Sequence, residues 1–171
     1  MKKLLIIVMI MCLGISLQAE DIIKTYNIKD AKGNMVSLET KGSGVNFPEF
    51  KGKVVLLAFF GRYCPPCIAE IPELVKLQKE YGKNFQIVAM HVQQKMSDTE
   101  LQDFVSSHKI NYTVLPATDQ VFDFANFISQ RTGWKGQIPY SILFDKNGNA
   151  IKTYLGMQKE ETLTKDITDL F

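Results

Sequence analysis

Lys53-Val54-Val55-Leu56-Leu57-Ala58-Phe59-Phe60, followed at once by Gly61-Arg62-Tyr63-Cys64-Pro65-Pro66-Cys67, is the stretch that decides the fold. From Val54 to Phe60 every residue is apolar. A strand with one wet face would alternate apolar and polar residues, so this run fits a strand covered on both sides. Its β-branched and aromatic content favours strand over helix. Beyond Gly61 the period changes. Ile68, Ile71, Leu74, Val75 and Leu77 share one stripe, Lys76, Lys79 and Glu80 lie opposite, and Gly82 closes the segment. That is a helix opening at Pro65, with a kink expected near Pro72. Two cysteines therefore stand at the mouth of a helix, directly after a buried strand.

Upstream, Ile22 to Ile28 offers Ile23, Tyr26 and Ile28 as inward residues, Asp30 to Asn34 is a turn, and Met35 to Leu38 returns. This reads as an N-terminal hairpin. Thr40 to Pro48, with Gly42, Ser43 and Gly44, reads as a loop. Downstream, Phe85 to Val92 is a second buried strand. Ser97-Asp98-Thr99-Glu100 is a capping box that starts a helix running to about His108. Tyr112 to Leu115 is a short strand, Asp119 to Ile128 a helix, and Ser129 to Gln137 a polar loop. Tyr140 to Asp145 and Ala150 to Leu155 form a hairpin around Lys146-Asn147-Gly148-Asn149, and Glu160 to Phe171 is a last amphipathic helix. Alternation of this kind predicts an α/β fold: a mixed central sheet flanked by helices, with an N-terminal hairpin and a helix-containing insertion.

The chain has 171 residues, 46% hydrophobic and 22% charged, which suits one domain with a substantial core. Met1-Lys2-Lys3, the apolar run Leu4 to Leu17 and Ala19 have the layout of a secretory signal peptide. Residues 1–19 are thus expected to be a cleaved leader, and 20–171 the single domain. The run is shorter than the roughly 20 residues of a membrane-spanning helix, so an uncleaved anchor is the secondary reading. Cys12 leaves with the leader, and Cys64 and Cys67 remain without an odd thiol. Without Lys2 and Lys3, 18 basic residues face 18 acidic ones, a balance that points to neither nucleic acid nor an anionic membrane surface.

A helix start carries free N–H groups and partial positive charge, which stabilise a sulfur there as thiolate. Cys64 holds that position, and Cys67 lies one turn deeper on the same face. A Cys64 thiolate can attack a partner disulfide, and Cys67 can resolve the mixed disulfide. Zinc would want four ligands, yet His91 and His108 are the only histidines and nothing in their spacing joins them to the cysteines. They read instead as a strand end and a helix end. Covalent haem would want a histidine after Cys67, where Ile68 stands. No metal and no cofactor are expected. A purely structural disulfide would close too small a loop to stabilise much.

With these features in place, the chain from about Thr25 to Phe171 resembles the thioredoxin superfamily, in particular its exported TlpA/ResA/CcmG-type branch. The motifs that carry the resemblance are Lys51-Gly52-Lys53-Val54-Val55-Leu56-Leu57, then Cys64, Cys67, Glu70 and Pro72, then Gly133, Gly136, Ile138 and Pro139, then Asp145 and Gly148. It implies a thioredoxin-like fold and a cis bond between Ile138 and Pro139, beside the cysteines. It also implies substrate contact through Tyr63, Ile138 and Pro139, and a proton-handling role for Glu70. Tyr63 stands where the family usually has tryptophan, which keeps an aromatic flank but alters the surface. Arg62 is either a positive charge for Cys64 or a solvated loop residue.

Pro65 and Pro66 have no N–H, so Cys67 N–H is the nearest donor left for a Cys64 thiolate. A strong oxidant needs a very stable thiolate. The sequence therefore leans to an exported, periplasmic thiol:disulfide oxidoreductase acting as a reductant. The resemblance adds apocytochrome c as a thiol substrate and a membrane electron donor as partner. The alternatives are a disulfide oxidase or isomerase, and a thiol peroxidase, which would want threonine where Gly61 stands.

Overall fold

The computed structural model describes residues 23–42 and 44–171. The expected leader 1–19, with Cys12 in it, lies outside the described residues. Val54–Phe60 (β4) is buried along its whole length. It pairs in parallel with Phe85–His91 (β5) and antiparallel with Tyr140–Phe144 (β7). Thr113–Leu115 (β6) and Ala150–Leu155 (β8) extend the sheet to the order β6-β5-β4-β7-β8. A central strand needs cover on both faces, which is why its seven residues are all apolar.

Alternate residues of β4 feed two cores. Val54, Leu56, Ala58 and Phe60 pack with Ile71, Leu74 and Leu77 of Pro65–Tyr81 (α1), Leu101 and Phe104 of Asp98–Ser107 (α2), and Leu163 and Ile167 of Glu160–Thr168 (α4). Val55, Leu57 and Phe59 pack with Val121, Phe124 and Ile128 of Asp119–Thr132 (α3) and with the N-terminal strands. Side chains as fully enclosed as Leu57 and Phe59 each contribute on the order of 2 to 3 kcal/mol through apolar burial. Among the described residues no helix is long and apolar enough to cross a membrane.

The mixed sheet, the helix order and the capping box at Ser97 agree with the sequence reading. Three local expectations are corrected. The N-terminal hairpin, Thr25–Lys29 (β1) with Met35–Lys41 (β2), gains a third strand, Gly44–Asn46 (β3), inside the expected loop. β3 is held from outside: Val45 N–H donates to the Gly148 carbonyl at 2.9 Å. A Cβ on Gly148, whose φ is +76°, would fall 2.2 Å from the Val45 carbonyl oxygen, so this contact requires glycine. Ile23, expected to face inward, precedes β1 and is exposed, whereas Tyr26 and Ile28 are buried as expected. Helix α3 runs four residues past Ile128 to Thr132, where Gly133 (φ +74°) ends it in the left-handed conformation.

Candidate active site

Cys64 is the N-cap of α1, and Pro65 and Pro66 fill the first two helical positions, where a missing N–H is tolerated. Cys64 and Cys67 form a disulfide with their Cα atoms 5.2 Å apart. Cys67 N–H donates to Cys64 Sγ at 3.3 Å, the one capping bond the prolines leave available. Although Cys67 lies one turn deeper, the two differ little in exposure in the oxidised form, at 7% for Cys64 and 3% for Cys67. The Ile138 carbonyl oxygen, 3.7 Å from Cys64 Sγ, accounts for part of that cover. A disulfide sulfur has no proton to donate, so this approach is a contact here and a hydrogen bond only once Cys64 is a thiol.

The loop before Cys64 is pinned from the end of β5. Arg62 N–H donates to His91 Nε2 at 3.2 Å, and Tyr63 N–H donates to Gln93 Oε1 at 3.0 Å. Val92 N–H donates to the Phe60 carbonyl at 2.9 Å. A methyl on Gly61 would fall 2.1 Å from the Gln93 side chain and push it off Tyr63 N–H. Sequence reasoning missed His91 and Gln93 as parts of the site. The signal that could have found them is position, since α/β sheets build their sites at the carboxyl ends of strands.

His91 is fully enclosed, its Nε2 accepts, and its proton therefore sits on Nδ1. Nδ1 and Arg62 Nε are buried without a hydrogen-bond partner among the described residues. Burial, and then the Arg62 charge, push the His91 pKa down to about 4. A depressed histidine contributes stability that is present above its unfolded pKa of about 6.5 and is lost as pH falls through its folded value. Unfolding free energy is thus expected to drop between pH 6.5 and about 4, by at most about 3 kcal/mol and less after solvent screening. His91→Asn keeps an acceptor for Arg62 N–H and should flatten that part of a urea-denaturation pH series.

Arg62 is not a bare charge beside Cys64. Its Nη1 is 3.0 Å from Glu100 Oε1, and its guanidinium carbon lies 4.7 Å from the centre of the exposed Tyr63 ring. The Ser97 backbone N–H, and then Arg62, hold the Glu100 carboxyl down at about 2. Arg62 therefore serves the Tyr63 ring and α2 together.

On the other side of the disulfide, Trp134 stacks on Tyr140 with ring centres 5.1 Å apart, and its Nε1–H donates to the Gln137 carbonyl at 2.6 Å. This shapes the segment into Ile138–Pro139, whose peptide bond is cis. Gly156 N–H donates to the Pro139 carbonyl at 2.8 Å. Glu70, one turn beyond Cys67 on α1, is buried, and its Oε1 accepts from Gln158 N–H at 2.8 Å. Burial pushes its pKa up, and the Gln158 bond offsets part of that. Tyr112 is buried nearby, its hydroxyl pushed up first by burial and then by the Glu70 charge. Cys64 and the Ile138–Pro139 segment thus meet through the Ile138 carbonyl, with the exposed Tyr63 next to Cys64 in the chain, while Glu70 has a backbone amide, not a cysteine, as its hydrogen-bond partner.

Comparison with known proteins bears on the fold and the family. The Redoxin family pattern matches residues 18–169. The thiol-disulfide oxidoreductase ResA of Bacillus subtilis (strain 168) is 30% identical over 132 residues, 76% of this chain and 68% of that protein. ResA of Bacillus thuringiensis subsp. konkukian (strain 97-27) is 30% identical over 131 residues, 76% of this chain and 70% of that one. The solved thiol:disulfide interchange protein of the thioredoxin family from Chlorobium tepidum TLS shares the fold, with a TM-score of 0.69 at 24% identity, covering 85% of this chain and 92% of that one. A redox-capable cysteine pair on a thioredoxin-like sheet, matched along most of its length, places the chain in the Redoxin family as a thiol-disulfide oxidoreductase of the ResA/CcmG type.

Proposed function

We propose that the Cys64-Pro65-Pro66-Cys67 site reduces disulfides in exported proteins, apocytochrome c among them, and is itself recharged by a membrane electron donor. In this reading Cys64 thiolate attacks a substrate disulfide, forming a mixed disulfide and releasing one substrate thiolate. Cys67 gives its proton to the Glu70 carboxylate and attacks Cys64 Sγ. The second substrate thiolate leaves, the substrate has gained two electrons, and the enzyme holds the Cys64–Cys67 disulfide. Ile138, Pro139 and Tyr63 receive the substrate chain. The apolar leader at residues 1–19 supports export to the periplasm, or an inner-membrane anchor if it is kept.

The observation that carries the direction is the capping of Cys64. Its sulfur accepts from Cys67 N–H alone at the helix start, because Pro65 and Pro66 have no donor to add. The Ile138 carbonyl oxygen 3.7 Å away favours the protonated thiol over the thiolate. Weak thiolate stabilisation makes the dithiol less stable relative to the disulfide, and so makes it a better electron donor. The test is the equilibrium potential of the pair against glutathione. It should lie nearer the about −270 mV of thioredoxin than the about −120 mV of a strong oxidant, and a value at the latter end would reverse the direction.

A further inference from the structure

The segment after β8 joins two parts of the site that are far apart in sequence. Gly156 N–H is bonded to the Pro139 carbonyl at 2.8 Å. Gln158 Nε2–H turns back and donates to the Gly156 carbonyl at 2.9 Å, and Gln158 N–H donates to Glu70 Oε1 at 2.8 Å. These bonds run unbroken from the cis-proline loop to the buried carboxyl. Gly156, with φ +82°, supplies the left-handed turn that lets the chain double back at once. Met157, between the two anchors, is half exposed, so hydrogen bonds rather than packing fix this segment.

We propose that Gly156–Gln158 is a coupling strap, with Gln158 as a positioning residue, that links seating of a substrate chain at the cis-proline loop to the state of the Glu70 carboxyl. The inference rests on the reading of Glu70 as the proton acceptor for Cys67. A carboxylate accepts the Gln158 N–H bond better than a carboxylic acid does, so a strap held firmly favours the ionised form. Substrate that fixes Ile138–Pro139 holds the strap and favours proton release from Glu70. By linkage, ionised Glu70 holds the cis-proline loop in its receptive form. The other titratable groups around Glu70 are few. Tyr112 comes from the segment before β6, and Cys64 and Cys67, joined as a disulfide in the oxidised protein, do not titrate. On the outer side of the strap are Lys159, Glu160 and Glu161, with Glu73 of α1. Glu73 and Glu160 are both held by Lys76, at 3.5 and 3.4 Å. Among these, Tyr112 feels the Glu70 charge directly.

The test follows the 13C signal of the Glu70 carboxyl through a pH titration of the oxidised protein. Wild type is compared with Gln158→Ala, which keeps the backbone N–H but frees the strap, and with Gly156→Ala, which strains the far end beside Pro139. Both variants should raise the Glu70 pKa, lowering its apparent ionisation constant about threefold, or half a pH unit. The low-pH limb of the protein-disulfide exchange rate should move in the same direction. A merely structural strap would lower thermal stability and leave the titration in place. If Gly156→Ala leaves Glu70 titrating as in wild type, the coupling is wrong, although Glu70 can still be the proton acceptor. If wild-type Glu70 titrates as an ordinary carboxylate and Glu70→Gln leaves the rate profile unchanged, the reading of Glu70 itself falls, and the coupling falls with it.

Discussion

Cys64→Ser is expected to bring disulfide exchange down to background, while Cys67→Ser should leave a protein that captures substrates and cannot release them. The asymmetry follows from the helix start. Cys64 Sγ is the atom that receives the Cys67 N–H bond, so it is the sulfur whose thiolate the helix start stabilises. Serine there offers an alkoxide that hardly forms at neutral pH and cannot make a mixed disulfide. The loss should reach at least about three orders of magnitude, the scale on which removal of a covalent nucleophile is felt. In Cys67→Ser the backbone N–H at position 67 survives, so Cys64 keeps its stabilising donor and still attacks. Resolution is gone, and mixed disulfides should accumulate on non-reducing gels with the exported protein fraction. Equal trapping by both variants would mean that neither cysteine is preferred as the attacker. Trapping by neither would leave the pair as an idle cross-link.

How far the sequence carried depended on the range of the interaction. β4 and α1 were legible because burial on two faces or on one stripe writes itself into consecutive residues. The capping box of α2 was legible because its partners, Ser97 and Glu100, are three residues apart. β3 was not, because Gly42, Ser43 and Gly44 look like a loop and the strand is stabilised by Gly148, more than a hundred residues later. The last turn of α3 was missed because Ser129, Gln130 and Arg131 break the apolar stripe, and their polarity alone resembles a loop. In the site, the cysteine pair was readable as local spacing, whereas Glu70 entered only through the family resemblance, because a lone glutamate on a helix otherwise reads as a solvated charge. His91 and Gln93 were not, since they act on Arg62 and Tyr63 across 29 and 30 residues. Gln158 was invisible for the same reason, as it meets Glu70 across 88 residues.

Trp134→Ala should be strongly destabilising, and its two effects are separable. The indole stacks on Tyr140 and lies 4.7 Å, centre to centre, from Phe59, a fully buried residue of the central strand. Removing it leaves a cavity between β4, β7 and α3, at a cost of about 3 to 5 kcal/mol. That is a large share of the about 5 to 15 kcal/mol by which a domain is stable. The variant should therefore unfold at markedly lower urea. Circular dichroism has to follow it, because Trp134 is the only tryptophan in the chain. A cost below about 1 kcal/mol would show that the site collapses around the gap and that the stacking is dispensable. The second effect runs through Nε1–H, which holds the Gln137 carbonyl two residues before Pro139. Trp134→Phe keeps a ring against Tyr140 and Phe59 but releases that carbonyl to solvent, since Gln137 is exposed, at a cost of about 0.5 to 1.5 kcal/mol. Such a protein should remain folded while its cis-proline loop is less well fixed. Its KM for a protein disulfide should rise severalfold, while its rate with a small disulfide, which needs the two cysteines but not the cis-proline surface, stays near that of wild type. An equal loss with both substrates would place the role of Trp134 in supporting the cysteines rather than in shaping the surface that receives the substrate chain.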